Sequence, residues 1–248
     1  MVRRIDVQST SHIPATPVAD LGPKRDDEKG GEWPVREVIG SMMWVSTFSR
    51  PDVSFAVRAV ARHAHAPSKR HWDAIQKILG YLQGTRDLGI TYQQGSGLRL
   101  AVYVNASYAD TEDKHSVSGL ATTGGGSKTQ SIVTLSSTEA EYIAAGEGVK
   151  EALFVRAALS FVAPETSGSN IQVLEDNQGA IAVVQNPLSS SRTKHIDLRF
   201  HFIRRLFRSG DISAKLVPTT GQHADLLTKA LSRASLQYHR RKLMNLPK

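Results

Sequence analysis

Up to residue 33 the chain shows no apolar period and is rich in Pro, Gly, Ser, Thr and charge, which predicts a disordered leader over 1–33. From Val35 apolar side chains recur every three to four residues. Trp44, Val45 and Phe48 belong to a first helix, and Pro51 suits the first turn of a second over Asp52–Ala64. After Pro67-Ser68, Trp72, Ile75, Ile78, Leu79 and Leu82 predict a third helix ending near Gly84. Such stripes are first of all core packing.

Further along the period changes. Gly89–Tyr92 and Leu98–Val104 alternate as strands do, and Ser118–Thr123 and Ser131–Leu135 are short strand candidates on either side of Gly124-Gly125-Gly126. A helix is expected from near Thr138 toward Val162. Ile171–Leu174 reads as a buried strand running straight into a helix over Gln178–Gln185, and Thr193–Arg208 as a helix striped by Ile196, Phe200, Ile203 and Phe207, followed by a strand and a last helix. Strands gathered first and then alternating with helices predict an α/β fold, a mixed sheet flanked by helices.

Composition narrows the classes. The 248 residues can bury a sizeable core, and they contain no cysteine, so disulfides and thiolate metal sites are excluded. No apolar run approaches the ~18 residues of a membrane span, and the N-terminus does not read as a signal peptide, so an intracellular protein is expected. The net charge of +8 is unevenly placed. Residues 96–191 carry 5 basic and 10 acidic side chains, and residues 192–248 carry 13 and 3. An acidic middle beside a basic end suits a carboxylate metal site flanked by a phosphate-binding surface, although a solvated basic tail would have the same composition.

Candidate chemistry lies in four segments: Asn105-Ala106-Ser107-Tyr108-Ala109-Asp110, SSTEAEY at 136–142, LEDNQGAIA at 174–182 and QHADLLTKAL at 222–231. Asp176 stands at the carboxyl end of a strand just before a helix, where open α/β sheets place ligand-binding groups; the same position would suit a helix cap. Glu139 and Glu141 are two apart, about 200° around a helix, so only one of them can face a given point. Ser136-Ser137-Thr138-Glu139 forms a capping box that occupies Glu139 and leaves Glu141 free. Asp225, alone near a helix start, could simply oppose the helix dipole. Arg204, Arg205 and Arg208 lie off the apolar stripe of their helix and could hold phosphates without reading sequence.

These four segments, in this order, resemble the ribonuclease H domain of copia-type retrotransposon Pol polyproteins. VIGSMMWVSTFSRPDVSFAV (38–57), HWDAIQKILGYLQGT (71–85) and SRTKHIDLRFHFIR (191–204) extend the resemblance to roughly residues 35–245. It implies a C-terminal fragment of such a polyprotein: a helical thumb or connection remnant of the reverse transcriptase over 34–95, then a ribonuclease H-like domain over 96–245. It further implies a two-metal magnesium site on Glu141, Asp176 and Asp225, and nucleic-acid contacts from Lys194 of the TKHID motif beside the three arginines. His195 reads as a packing residue, and His223 could assist proton transfer or product release.

The implied substrate is an RNA–DNA hybrid or other nucleic acid, cut by a ribonuclease H-type endonuclease, with no membrane and with the remainder of the polyprotein as partner. Two departures weaken that activity. The family reads aspartate at Asn105 and again at Ser107, and the first of these is a metal ligand; the amide brings no charge, and Asp110, five residues on, cannot occupy the same point. The Gly124–Gln130 segment is also five or six residues shorter than the family's; Tyr108 in place of a tryptophan is a milder change. An inactive nucleic-acid-binding domain, or a decayed transposon fragment without function, are the alternatives.

Overall fold

A computed structural model describes residues 5, 7, 9–17, 20–92, 100–110, 114–122, 125–185 and 202–247. The chain divides into two compact units. One comprises Met1–Tyr92, Gly124–Gly126 and Lys229–Lys248; the other comprises Gln93–Thr123 and Ser127–Thr228. No helix among the described residues is long and apolar enough to cross a membrane.

The first unit is helical: α1 (Val35–Phe48), a 3-10 turn at Pro51–Val53 leading into α2 (Ser54–Ala61), and α3 (Lys69–Gly84). Ser68 starts α3 with its side chain accepting from the His71 backbone, while the His71 ring accepts the Ser68 N–H at 3.0 Å, so the first turn is closed reciprocally. The core face of α1 is Val35, Val38, Ile39 and Met42. Trp44, expected to pack inward, lies nine residues from Val35, about 180° around the helix, and it and Phe48 are exposed, in contact with each other at 5.2 Å between ring centroids.

The leader has neither helix nor strand among its described residues, but it is not unattached. Arg70 of α3 bonds Glu28 at 2.7 Å and Asp20 at 2.9 Å, and the His71 ring meets the Gly22 carbonyl at 2.9 Å. Gly89–Tyr92, expected as a strand, instead joins the C-terminal segment: the Thr91 N–H donates to the Met244 carbonyl at 2.9 Å. The last helix, here α8 (Arg233–Leu243), therefore belongs with the helical unit by contact, although the sequence reading ran the second domain to 245. A buried network explains the attachment. Arg50 pairs with Asp52 at 2.9 Å, the Tyr81 hydroxyl donates to Asp52, and Arg240 of α8 donates to that hydroxyl at 2.7 Å.

The second unit is built on five strands in the order β3-β2-β1-β4-β5, with β1 at Leu100–Ser107, β2 at Val117–Ala121, β3 at Gly125–Thr129, β4 at Ile171–Glu175 and β5 at Ile212–Leu216. β1 runs antiparallel to β2 and parallel to β4, and β4 is parallel to β5. Leu100, Val102 and Val104 of β1 face α4 (Ser137–Val162) and form the core with Tyr142, Ile143, Val149, Ile171 and Val173. A Cβ on Gly148 would come within 2.5 Å of Val104, so glycine at this point is what lets α4 lie on the sheet.

β3 is displaced from its expected place. Ser131–Leu135 is irregular, with Leu135 69% exposed, and the paired strand starts instead within the glycine run. Despite its shortness this segment is anchored: Gln130 donates to the Ser118 hydroxyl at 3.0 Å and to the Ala140 carbonyl of α4 at 2.8 Å. The remaining helices are α5 (Gln178–Gln185), α6 (Phe202–Arg208) and α7 (Asp225–Thr228). Residues 186–201, which include Lys194, His195 and most of the expected Thr193–Arg208 helix, lie outside the described residues.

Candidate metal centre

Four segments distant in sequence converge where β1 and β4 end. The parallel register aligns Tyr103 with Leu174, so the two strands finish side by side with Asn105 on one and Glu175-Asp176 on the other. Gln222, fully buried, donates to the Val104 carbonyl at 2.8 Å and more weakly to the Leu174 carbonyl at 3.5 Å. It thereby pins α7 to both strand ends, a role the sequence reading did not give it. Antiparallel pairing sets Asn105 opposite Gly119.

Gly119 is the seat of α7. A Cβ there would lie 2.7 Å from Thr228 and 3.0 Å from the Ala224 carbonyl. Gly119→Ala is therefore expected to push α7 off the sheet and to lower stability by about 1–3 kcal/mol. Thermal unfolding of the variant checks this, and an unchanged midpoint would mean that α7 is not tightly seated.

Asn105 is 6% exposed, and its amide donates to Asp225 at 2.6 Å and to the Thr228 hydroxyl at 2.8 Å. Asp225 is thus held by an amide rather than set free toward a cation. Glu141, on the first turns of α4, is buried and accepts the Ala106 N–H. Glu139 is engaged elsewhere: its carboxylate accepts the Leu135 N–H at 2.7 Å and its own N–H donates to the N-cap Ser136 at 3.3 Å.

Glu175, not among the site residues expected from sequence, joins them here. Glu141, Glu175 and Asp176 each offer a carboxylate oxygen within 4.8 Å of the others. Glu175 is 2% exposed and one of its oxygens accepts the Asn177 N–H at 2.9 Å. The other, like one oxygen of Glu141, is buried with no hydrogen-bond partner. Ser107 bonds Asp110 at 3.2 Å, and Asp110 is not one of the three converging acids. His223 packs against Tyr103 at 4.8 Å between ring centroids.

Electrostatics mark the same point. Burial, with the neighbouring Glu175 and Asp176 carboxylates next, holds the Glu141 carboxyl far above its ordinary 4.5. Glu175 is raised by burial and by Asp176, with the Asn177 N–H working against the shift. Two buried carboxylates with unpartnered oxygens carry a cost that a divalent cation would relieve, and oxygen-only ligands suit a hard cation such as magnesium. The residues present fit the implied metal.

No protein-family model matches the chain. Among curated proteins it is 37% identical over 240 residues to the Retrovirus-related Pol polyprotein from transposon RE2 of Arabidopsis thaliana, covering 92% of this chain and 16% of that protein. It is 36% identical over 220 residues to the corresponding polyprotein from transposon TNT 1-94 of Nicotiana tabacum, covering 85% of this chain and 16% of that protein. The chain belongs to the copia-type retrotransposon Pol polyproteins. It spans about one sixth of the length of these relatives. Among solved structures it is similar to the foamy viral protease-reverse transcriptase in complex with RNA/DNA hybrid, at 13% identity and a TM-score of 0.50 over 80% of this chain and 26% of that one. The mixed five-stranded sheet flanked by helices is ribonuclease H-like in fold.

Proposed function

We propose that the sheet unit binds an RNA–DNA hybrid and holds magnesium through Glu141, Glu175 and Asp176, with hydrolysis of the RNA strand impaired by the amide at position 105. The convergence of those three carboxylates, two with a buried unpartnered oxygen, is the observation that carries this reading. Bound there, the metal would activate water and offset charge developing on the scissile phosphate. The protein's own part is positional. Gln222 fixes the strand ends, the Ala106 N–H orients Glu141, and Asp176 is the least buried of the three acids.

The expected Asp225 ligand is withheld from that set by its bond to Asn105. This favours a second reading, a domain that binds hybrid and cleaves it negligibly. We also infer that the helical unit, 34–95 in sequence, derives from the thumb or connection of the reverse transcriptase. Magnesium-dependent cleavage of a labelled hybrid, lost in Asp176→Asn, tests the first reading. Hybrid binding without cleavage supports the second, and neither binding nor cleavage would leave a decayed fragment.

The basic helix is divided by its packing. Arg204 donates to the Val183 carbonyl at 2.8 Å and lies over the Tyr142 ring at 5.5 Å, so it braces α5 against α4. Arg205 and Arg208 are exposed. Replacing both with Ala is expected to reduce the salt dependence of hybrid binding by about two released counterions. Arg204→Ala is expected to lower the melting temperature and leave that slope unchanged. Filter binding across a salt series measures the slopes; an unchanged slope in the double variant would place the phosphate contacts elsewhere.

A further inference from the structure

The distal half of α4 carries an apolar face that the core of the described residues does not use. Phe154 is 73% exposed, Phe161 89% and Val162 80%, and Ala157 and Ala158 between them are exposed as well. Phe154, Ala157, Ala158 and Phe161 are spaced at three and four residues and so form one stripe along the helix. The two phenylalanines stand equally far from the midpoint between Ala157 and Ala158. Read in either direction, the stripe is Phe, a two-residue gap, Ala-Ala, a two-residue gap, Phe.

A stripe with this symmetry is complementary to itself when two helices lie antiparallel. Each Phe154 then meets Phe161 of the second copy, and the paired alanines sit at the crossing, where small side chains allow close approach. Charge supports the same arrangement. Lys150, whose ammonium also pairs with Glu147 at 3.1 Å, precedes the midpoint by as many residues as Glu165, in the 3-10 turn after α4, follows it, and both are exposed. Antiparallel pairing sets opposite charges at both ends, whereas parallel pairing sets like charges together.

We propose that this face is an isologous interface between two copies of the chain, with the two-fold axis passing between Ala157 and Ala158. The occupant is a second copy because only an identical helix repeats the same palindrome and the same reversed charges. Two phenylalanines, two alanines and a valine per copy make a small interface beside the ~800 Å² each partner contributes to stable complexes, so the association is weak, on the order of 100 μM.

The absence of cysteine makes the test direct, since a single introduced thiol is the only one in the molecule. On the full chain under mild oxidation, Ala158→Cys is expected to form a disulfide-linked dimer. Phe154→Cys mixed with Phe161→Cys is expected to give a mixed dimer several-fold faster than either variant pairs with itself. Sedimentation equilibrium of the unaltered chain is expected to show mass rising toward the dimer with concentration. Phe161→Glu is expected to weaken that association at least ~10-fold while leaving the melting temperature unchanged. A chain monomeric to millimolar concentration, or Phe154→Cys pairing with itself faster than with Phe161→Cys, would overturn the proposal.

Discussion

Asn105→Asp is expected to raise magnesium-dependent hybrid cleavage by about 100-fold, equivalent to roughly 2.7 kcal/mol of transition-state stabilisation. The amide of Asn105 lies 2.6 Å from the Asp225 carboxylate and donates to it. An aspartate in its place would set two carboxylates face to face beside Glu141, Glu175 and Asp176, and both would turn toward a shared cation. Without metal the same substitution exchanges a hydrogen bond for repulsion, so stability in chelator is expected to fall by about 1–3 kcal/mol and to recover with magnesium. Hybrid cleavage assays and paired melting curves measure the two effects. The shortened Gly124–Gln130 segment is not expected to block the gain, because β3 is paired and Gln130 ties it to α4. A gain below ~3-fold would show that Asn105 is not the limiting fault.

Glu175→Gln and Glu141→Gln are expected to stabilise the metal-free protein at pH 8 by about 1–3 kcal/mol while removing its stabilisation by magnesium. Both carboxyls have folded-state pKa values raised above the ordinary 4.5, by burial first and neighbouring acids second. The folded state therefore keeps protons that the unfolded chain releases. This contribution to stability is fully present below about pH 4.5 and is lost as pH rises through the raised values. In chelator the unaltered protein is expected to lose stability between pH 5 and pH 8 more steeply than either variant. Melting temperatures across that range decide it. Parallel curves for the unaltered protein and the two glutamine variants would mean that burial and the neighbouring acids do not raise these two carboxyls.

Much of the arrangement was legible along the chain because it depends on local periods and caps. The helices at Val35–Phe48 and Lys69–Gly84 follow three-to-four spacing, and Ser136 and Ser68 mark the starts of two helices through their own hydrogen bonds. Glu139 could be separated from Glu141 by helix geometry and capping alone. Where the period was short it misled. Ser131–Leu135 alternates without being a strand, and Trp44 reads as core but lies opposite the buried face of its helix.

Tertiary structure alone decided which acids meet. Alternation along a strand sends Glu175 and Asp176 to opposite faces, so nothing local pairs them; at the end of β4 the chain leaves the sheet, alternation lapses, and both come within reach of Glu141. Likewise Asn105 and Asp225 stand 120 residues apart, and their bond exists because Gly119 admits α7 to the sheet and Gln222 pins it there. Residue identity gave the loss of a charge at position 105, which is a property of one side chain. That the amide at 105 also engages a neighbouring acid depends on how β1, β2 and α7 pack, which no local pattern encodes.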